Sequence, residues 1–499
     1  MKRIIASFLS LSLLIASCSS PSPTAIAVAS PTQTPSPLQT PWGDRSIFKS
    51  GLVESEQHVL DELQGASVYH LEFNIADDIY HVTGLEDVQY TNTETVSLKE
   101  VEFRLFPNIL GGEMQVTNLQ VDGQSITPQY ELKNSLMIVP LSKALEPQQS
   151  IVLHMDFKVA VPQSVDLNYG VLAYYDNVLT LAHSYPMICV YNDQGWNAEI
   201  PPQDGDVTFS DASFYIVQIH APKGLMLVTS GTQINSDEAG QVQSMNVASG
   251  PARDFYLAAS PNFEKVSQTF GEVTINSYAR KESMKGAQFS IDVAAHAMDI
   301  YSKRYAPFPY TELDIIATPT LALGIEYPGA VAIADRIYDV SGGSNAQAYM
   351  ESTVAHEVGH QWFYNLVGND QLDDPWLDES LAQFATLQYF TDRYDTDAAN
   401  NFHSSLVGRW QRVNQAKIPI GLPVAKYKDA EYGAIVYGRG PLFFEALKNE
   451  IGAGVFDEFM KDYTTTLSWK ISTPADLKAL AEKHCACNLD KIFQEWVYP

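Results

Sequence analysis

The sequence contains few basic residues, few cysteines and no long apolar segment. Its 31 Lys and Arg stand against 59 Asp and Glu, which gives a formal net charge of -28. Because no basic patch or polybasic run is present, the composition argues against nucleic acid as a partner. With 499 residues, 45% of them hydrophobic, the chain has the composition of an ordinary globular protein with room for two or three domains.

The N-terminus carries an apolar stretch that is too short to be a confident membrane span. Lys2 and Arg3 precede apolar residues from Ile4 to Ile15, and small residues then lead into Cys18. This pattern predicts a secretory signal peptide over residues 1–17. The residues before the cysteine resemble a bacterial lipobox, which implies cleavage before Cys18 and diacylation of its thiol. We therefore expect an exported, membrane-anchored lipoprotein on the extracytoplasmic side; a plain signal peptide or a transmembrane anchor is the alternative.

Residues 18–52 are predicted to form a linker. From Ser19 to Trp42 the chain is rich in Ser, Pro and Thr, a composition that favours an extended spacer over a packed core. Such a spacer would hold the folded body away from the lipid.

The four cysteines leave little room for a disulfide framework. If Cys18 carries lipid, Cys189, Cys485 and Cys487 remain, so at least one thiol is unpaired within the chain. A metal site at His484-Cys485-Ala486-Cys487 is disfavoured, because the spacing is too tight to surround an ion and no fourth ligand is evident. A disulfide between Cys485 and Cys487 and free thiols stay open, and free thiols are the preferred interpretation.

Two patterns divide the remainder into residues 53–252 and 253–499. Apolar residues alternate in runs such as 69–75, 101–105, 151–157 and 215–219, which predicts an antiparallel β domain. Beyond residue 253 the pattern predicts a helix near 283–304, a strand around 313–317 and further helices. The fold class is therefore α+β with more than one domain.

The segment His356-Glu357-Val358-Gly359-His360 is the strongest sign of chemistry in the chain, with Glu379 following in Trp376-Leu377-Asp378-Glu379-Ser380. Residues four apart share one face of a helix, so both imidazoles can bind one ion while Glu357 reaches a water beside it. Two imidazoles and one carboxylate leave a fourth position open, as in zinc hydrolases, whereas structural zinc sites usually close with thiolates.

The surrounding sequence predicts a helix from about residue 345 to 366, with a capping box at Ser344 and Gln347. Both histidines would then lie in mid-helix. Asp374-Pro375 is typical of a second helix start, with Glu379 near its beginning.

From Tyr69 to Trp496 the chain resembles the aminopeptidase N family of gluzincins, which includes leukotriene hydrolase-type enzymes. Besides the two motifs above, the resemblance rests on Gly324-Ile325-Glu326-Tyr327-Pro328, Tyr437-Gly438-Arg439-Gly440 and the closing segment from Leu489 to Trp496. It implies an N-terminal saddle-shaped β domain followed by a thermolysin-like domain. The family's large C-terminal helical domain has no counterpart in this sequence, and its absence predicts a more open cleft.

The resemblance also implies roles for individual residues. One zinc ion would lie on His356, His360 and Glu379, with Glu357 as general base. By the same resemblance, Tyr437 would donate a hydrogen bond to the oxyanion.

The remaining two roles concern the substrate. Glu326 would bind the free α-amine of a peptide, which makes the expected activity that of an aminopeptidase, and Gly324 would let the peptide backbone lie along an edge strand. Leu323 and Tyr327 depart from the family motif on either side, and no second amine-binding residue is identifiable in the N-terminal domain. A zinc endopeptidase and a non-catalytic peptide-binding lipoprotein are the alternatives.

Overall fold

The computed structural model describes residues 36–202, 205–394 and 396–499. The predicted signal peptide, Cys18 and the first part of the predicted linker lie outside these residues. Within the described ranges, no helix combines the length and the apolar character that crossing a membrane requires.

The chain from Pro37 to Leu52, which was predicted to be linker, is packed against the folded body. The Trp42 ring stacks on His70 with 4.1 Å between centroids, and the Arg45 guanidinium lies 4.4 Å from the Phe214 ring centroid. The side chain of Phe48 is 1% exposed. This end of the predicted linker is therefore not an extended spacer, because its aromatic and apolar side chains find a surface to cover. Short 3-10 turns and one short helix lead from it into the first strand: Pro37–Gln39, Ser46–Gly51, Glu54–Glu56 and α1 (Val59–Glu62).

The next part of the chain is built from strands. In chain order they are β1 (Val68–Ile75), β2 (His81–Thr91), β3 (Leu98–Arg104), β4 (Glu113–Val121), β5 (Gln124–Ser125), β6 (Gln129–Glu131), β7 (Leu136–Leu145), β8 (Ser150–Ala160), β9 (Leu172–Tyr175), β10 (Val178–Leu181), β11 (Met187–Ile188), β12 (Tyr191–Asn192), β13 (Gly195–Trp196), β14 (Ser213–Pro222), β15 (Met226–Thr229), β16 (Thr232–Ala239), β17 (Val242–Ala252) and β18 (Leu257–Ser260). A 3-10 turn at Phe106–Asn108 follows β3.

These strands form an eight-stranded sheet and smaller sheets beside it. The large sheet has the order β16-β17-β14-β1-β2-β8-β4-β5, and the two four-stranded sheets have the orders β15-β18-β10-β9 and β11-β3-β7-β6. The predicted antiparallel arrangement needs one correction, since β1 and β14 run parallel, with Tyr69 opposite Tyr215. The alternating apolar residues lie in the core between the sheets, where Leu71, Phe103 and Val217 are fully buried. Alternation along a strand fixes which face is buried, but it does not fix the direction of the neighbour.

The second half combines a mixed sheet with helices. Its elements are β19 (Phe263–Phe270), β20 (Val273–Arg280), α2 (Met284–Arg304), β21 (Glu312–Thr318), β22 (Gly324–Ile325), β23 (Ala330–Ala334), α3 (Ser344–Gly359), α4 (Glu379–Arg393), α5 (Thr396–Gln411), α6 (Glu431–Ala434), α7 (Gly440–Ile451), α8 (Ala453–Thr466), α9 (Pro474–Cys485) and α10 (Asp490–Trp496). Short 3-10 turns occur at Lys281–Ser283, Asp335–Ile337, Val340–Gly342, Pro375–Leu377 and Val424–Lys426, and a π-helical turn covers Ile435–Arg439.

The order of the five-stranded sheet places a short strand at its edge. The order is β19-β20-β21-β23-β22, so β22 pairs on one side only, antiparallel to β23. The helices α2, α3 and α4 pack together beside it, and the Tyr301 hydroxyl of α2 donates to the Ala355 carbonyl of α3 at 2.9 Å. The α+β fold class is as predicted. The change from the first group of sheets to this one falls between β18 and β19, and the domain boundaries named from the sequence stay predictions.

The helix that carries the two histidines is shorter than predicted. It ends at Gly359, so His356 lies in its last turn and His360 is the C-cap residue, whereas both were expected in mid-helix. The chain then turns irregularly, which allows the neighbouring side chains of Trp362 and Phe363 both to enter the core, at 0% and 1% exposure. The predicted capping box is absent too, since Gly343 is the N-cap and makes no side-chain hydrogen bond.

The start of the second helix also differs from the prediction. Pro375 begins a 3-10 turn, and α4 begins at Glu379 itself, with the Asp378 side chain as its cap. At the C-terminal end Cys485 and Cys487 form a disulfide, whereas free thiols were the preferred interpretation; Cys189 is a buried free thiol. At the start of α9, Thr473 is the N-cap, Pro474 follows it, and Thr473 and Asp476 form a capping box.

Candidate active site

Three buried ligand atoms meet where α3 ends and α4 begins. The Nε2 atoms of His356 and His360 are 3.2 Å apart, and Glu379 Oε2 lies 3.2 Å from the first and 3.4 Å from the second. Ligands at about 2.0–2.1 Å from a tetrahedral zinc ion are separated by about 3.3–3.4 Å, so this triangle has the right size. Among the described residues the buried Glu379 Oε2 makes no hydrogen bond of acceptable geometry, so this oxygen is left for another ligand. The donor set therefore fits a zinc ion.

The unexpected end of α3 helps to orient one of these ligands. His360 Nδ1 lies 2.9 Å from the Phe363 carbonyl oxygen and donates its proton to it, so Nε2 is the ring nitrogen that would bind a metal once it loses its own proton. The irregular turn after Gly359 supplies that carbonyl. On the other helix the Glu379 amide donates to Asp378 Oδ1 at 2.6 Å, which fixes the first residue of α4.

Charges within this group reinforce one another. Burial opposes the protonated form of His360, but Glu326 and Glu379 raise its pKa well above the ordinary value. Burial also opposes the ionised form of Glu379, yet His360 and His356 hold the pKa of that carboxyl well below its usual range. Glu379 is therefore an anion inside the protein, as a metal-binding carboxylate must be.

Glu357 lies beside the ligand group, which consists of His356, His360 and Glu379, and it is 4% exposed. Burial, together with the negative charges of Glu326 and Glu379, raises its pKa well above the ordinary value, although His360 opposes this. A Cβ atom at Gly324 would lie 2.4 Å from the Glu357 carboxyl group. The edge strand β22 therefore passes directly over this carboxyl, and a side chain at position 324 would displace it.

Glu326 follows β22 and lies on the same side of the cluster. One oxygen of Glu326, one of Glu357 and one nitrogen of His360 all lie within 4.8 Å of one another. Glu326 Oε1 accepts a hydrogen bond from Gln371 Nε2 at 2.9 Å. Gln361 holds the loop that follows, since its Nε2 donates to the Tyr327 carbonyl at 3.1 Å. Burial is the main cause that raises the pKa of Glu326.

Tyr437 projects from the π-helical turn Ile435–Arg439. Its ring centroid lies 6.1 Å from that of His356. The turn is tied to α4, because the Ser380 hydroxyl donates to the Val436 carbonyl at 2.6 Å. A Cβ atom at Gly440 would lie 1.9 Å from that hydroxyl oxygen, so glycine is required for this contact. The structure thus brings Tyr437 to the group formed by the two histidines and Glu379.

Leu323 and Tyr327, which depart from the family motif, and the nearby Tyr364 make contacts of their own. Tyr327 is buried and stacks on Tyr256 with 3.8 Å between ring centroids, while the Leu323 carbonyl accepts from the Ala334 amide at 2.9 Å. Tyr364 donates from its hydroxyl to Asp254 Oδ2 at 2.7 Å. None of these contacts occupies the ligand atoms or the carboxylate of Glu326.

A cavity of about 1140 Å³ contains most of the predicted site residues in its wall. His356, Glu357, Glu379, Tyr437, Glu326 and Gly324 all line this cavity, whereas His360 is behind its wall and only 1% exposed. Sequence reasoning did not identify three further polar residues of the wall: Asp206, Arg409 and Tyr432. They come from a loop before β14, from α5 and from α6, and none belongs to a recognisable spacing.

The comparisons with known proteins agree with this arrangement. Residues 289–496 match the profile described as Peptidase family M1 domain. The chain carries a peptidase family M1 domain. The resemblance to the aminopeptidase N-like gluzincins is thereby confirmed.

Relatives match over part of their length. The chain is 25% identical to Aminopeptidase M1-B of Oryza sativa subsp. japonica over 293 residues, which are 56% of this chain and 33% of that protein. It is 21% identical to Probable aminopeptidase 1 of Sulfurisphaera tokodaii over 422 residues, which are 82% of this chain and 51% of that protein. The chain thus spans between a third and about half of the length of these relatives.

Solved structures share the fold over most of both chains. The M1 zinc metallopeptidase from Deinococcus radiodurans superposes with a TM-score of 0.65 at 16% identity, covering 87% of this chain and 94% of that one. A mutant of the same protein bound to a Tyr-Ser-Ala substrate gives a TM-score of 0.65 at 17% identity. The predicted fold class, a β-rich N-terminal part followed by an α/β part, is confirmed.

Proposed function

We propose that this protein is a zinc-dependent aminopeptidase that removes N-terminal residues from peptides. The observation that carries the proposal is the position of Glu326, whose carboxylate lies beside Glu357 and the ligand group in a single cavity. A buried carboxylate next to a hydrolytic centre can pair with the α-ammonium of a peptide. That pairing would place the first peptide bond of the substrate at the centre.

His356, His360 and Glu379 would hold one zinc ion. When bound, such an ion polarises the scissile carbonyl and makes a nearby water more acidic. Glu357 accepts the proton of that water and delivers it to the leaving amine. The Tyr437 hydroxyl donates a hydrogen bond to the oxyanion that develops on the carbonyl.

The edge strand β22 would guide the peptide backbone. Its unpaired side can accept an extended chain by β-addition, and Gly324 and Ile325 both line the cavity. The peptide would then lie between this strand and the ligand group, with its first residue at Glu326.

The test compares a peptide with a free N-terminus and the same peptide acetylated at that position, with products identified by mass spectrometry. We expect release of the first residue from the free peptide and no cleavage of the acetylated one. Unimpaired cleavage of the acetylated peptide would establish the alternative, a zinc endopeptidase. Absence of cleavage of either, with zinc bound, would favour the second alternative, a non-catalytic peptide-binding lipoprotein.

We also propose that the protein is exported and anchored through lipid on Cys18. The support is the sequence of residues 1–18, which lies outside the described residues. Labelling cells with a radioactive fatty acid should mark the intact protein and not a Cys18→Ala variant. Equal labelling of the two would contradict the anchor.

A further inference from the structure

The charges of the large cavity are separated. Of the described residues in its wall, four contribute carboxylates at or near the ligand group: Asp206, Glu326, Glu357 and Glu379. The positively charged Arg and Lys side chains of the described wall are those of Arg409 and Arg412. The two arginines lie at the C-terminal end of α5 and just after it.

One further carboxylate lines the cavity, but it is already held. Glu351 Oε1 accepts from the hydroxyls of Tyr389 and Tyr394 at 2.6 and 2.7 Å, and it lies 3.4 Å from an Arg393 nitrogen. It is therefore satisfied by its own neighbours and is not available to Arg409 or Arg412.

The side chain of Arg409 is fixed beside the proposed reaction centre. Its guanidinium carbon lies 5.8 Å from the ring centroid of Tyr437. A Cβ atom at Gly438 would lie 3.0 Å from Arg409 Cβ and 2.9 Å from the Trp410 amide nitrogen, so the glycine lets α5 approach the π-helical turn. This close packing directs the base of the side chain towards Tyr437.

Apart from the Tyr437 ring, the guanidinium of Arg409 has no hydrogen-bonding or anionic partner among the described residues. Among the described residues no hydrogen bond and no carboxylate within 4.0 Å satisfies it, although its residue is only partly exposed. An arginine stays charged at any ordinary pH and offers a planar fork that matches a carboxylate. A partly buried guanidinium without a partner, in the wall of a substrate cavity, calls for an anionic ligand.

A free peptide carries such an anion at its C-terminus. The His356 and Tyr437 ring centroids are 6.1 Å apart, and the Arg409 guanidinium carbon lies 5.8 Å from the Tyr437 ring centroid. Glu326 and Arg409 line the same cavity. A short peptide with its ammonium at Glu326 therefore has its carboxylate in the cavity that holds this guanidinium.

We propose that Arg409 and Arg412 bind the C-terminal carboxylate of the substrate, so that di- and tripeptides with a free C-terminus are preferred. This inference rests on the proposed aminopeptidase function. It narrows the substrate class from peptides in general to di- and tripeptides with a free C-terminus. In this proposal the partly buried Arg409 pairs with the substrate carboxylate, and the exposed Arg412 adds a second positive charge nearby.

The test compares the tripeptide Leu-Ala-Ala with its C-terminal amide, using the zinc-loaded full-length protein and release of Leu as the readout. We expect kcat/KM for the free acid to exceed that for the amide by roughly tenfold to a hundredfold, the range for hydrogen bonds to a charged group. Equal rates would overturn the inference while leaving the proposed function intact. Hydrolysis of neither peptide would remove the proposed function, and this inference with it.

Substitutions show which arginine causes the preference for a free C-terminal carboxylate. In Arg409→Gln and Arg412→Gln the acid-to-amide ratio should fall towards 1, most strongly for Arg409. Because both substrates are measured on the same variant, loss of folded protein cancels from the ratio. Lys428→Gln is the matched control, since it removes one positive charge from an exposed position outside the cavity wall and should keep the wild-type ratio. If Arg409→Gln lowered kcat/KM equally for the free acid and the amide, the inference would be overturned. Arg409 would then act through Tyr437 on the oxyanion and not on the substrate carboxylate.

Discussion

At the scale of single residues, the site combines side chains that lie close together in the sequence with contacts from distant segments. The spacing of His356 and His360 predicts two ligands on one helical face, and the structure places both beside Glu379. The contacts that orient these side chains could not be predicted from the sequence. The carbonyl of Phe363 that orients His360 and the amide of Gln371 that holds Glu326 depend on where distant segments pack. No local pattern encodes such packing.

The role of Glu357 gives a prediction at this scale. In Glu357→Gln the side chain keeps its shape but cannot take up a proton, so kcat for release of an N-terminal residue should fall by about 10² to 10⁴-fold. None of the three ligand residues is changed, so zinc content measured by atomic absorption should remain one ion per chain. Retained turnover would remove Glu357 from the mechanism. Loss of zinc would show instead that the substitution disturbs the ligand group.

A second residue-scale prediction concerns acid stability. Burial against Trp42 lowers the pKa of His70 from the ordinary 6.5 to about 4. A depressed histidine pKa means that the unfolded chain binds the proton first as pH falls. The stability due to the neutral ring is thus present above pH 6.5 and is lost as pH falls to about 4, a change of about 3 kcal/mol.

The variant His70→Phe keeps an aromatic ring against Trp42 and removes the titration. Urea unfolding of the wild type and the variant at several pH values between 7 and 4 isolates this group from the other titrating residues. We expect the wild type to lose about 3 kcal/mol more than the variant over this range. Parallel curves would contradict the assignment.

At the scale of elements, sequence periodicity located helices and strands but misplaced some of their ends. The predicted helix over 345–366 ends at Gly359, because burying Trp362 and Phe363 together outweighs continued helical hydrogen bonding. The parallel pairing of β1 with β14 was also missed, since it joins segments more than 130 residues apart and is decided by the whole sheet. In contrast the start of α9 is set locally, by the capping box of Thr473 and Asp476.

The contact between α5 and the π-helical turn can be tested with one glycine. In Gly438→Ala the new methyl group would lie 2.9 Å from the Trp410 amide nitrogen and 3.0 Å from the Leu406 carbonyl oxygen, both backbone atoms. We expect α5 to be displaced at a cost of about 1–3 kcal/mol, with a loss of activity because Tyr437 adjoins the contact.

Gly433→Ala provides the matched control. Gly433 lies in α6, and a Cβ atom there would meet nothing within 4 Å. The same change of residue type should therefore leave stability unchanged or raise it by up to about 1 kcal/mol. Thermal unfolding of both variants measures the difference. If Gly438→Ala were as stable and as active as Gly433→Ala, close packing at the turn would not be important.

At the scale of the whole molecule, the two halves of the chain meet around one cavity. Asp206 comes from the β-rich half, while the ligand group, Glu326, Tyr437 and Arg409 come from the second half. The family resemblance predicted the fold of both halves, and the solved structures confirm that fold at 16% identity. The contribution of Asp206 could not be predicted, because it depends on how a loop before β14 packs against the second half.

The central claim, that one zinc ion at His356, His360 and Glu379 supports exopeptidase activity, is tested most directly by titrating metal into chelated protein. Zinc that binds only the native state also raises the free energy of unfolding, by about 4 kcal/mol at a thousandfold excess over Kd, and so raises the unfolding temperature. We predict that chelation abolishes release of Leu from Leu-Ala-Ala and that activity returns linearly up to one zinc per chain. Full activity in metal-free protein, or recovery that needs a different stoichiometry, would contradict the account.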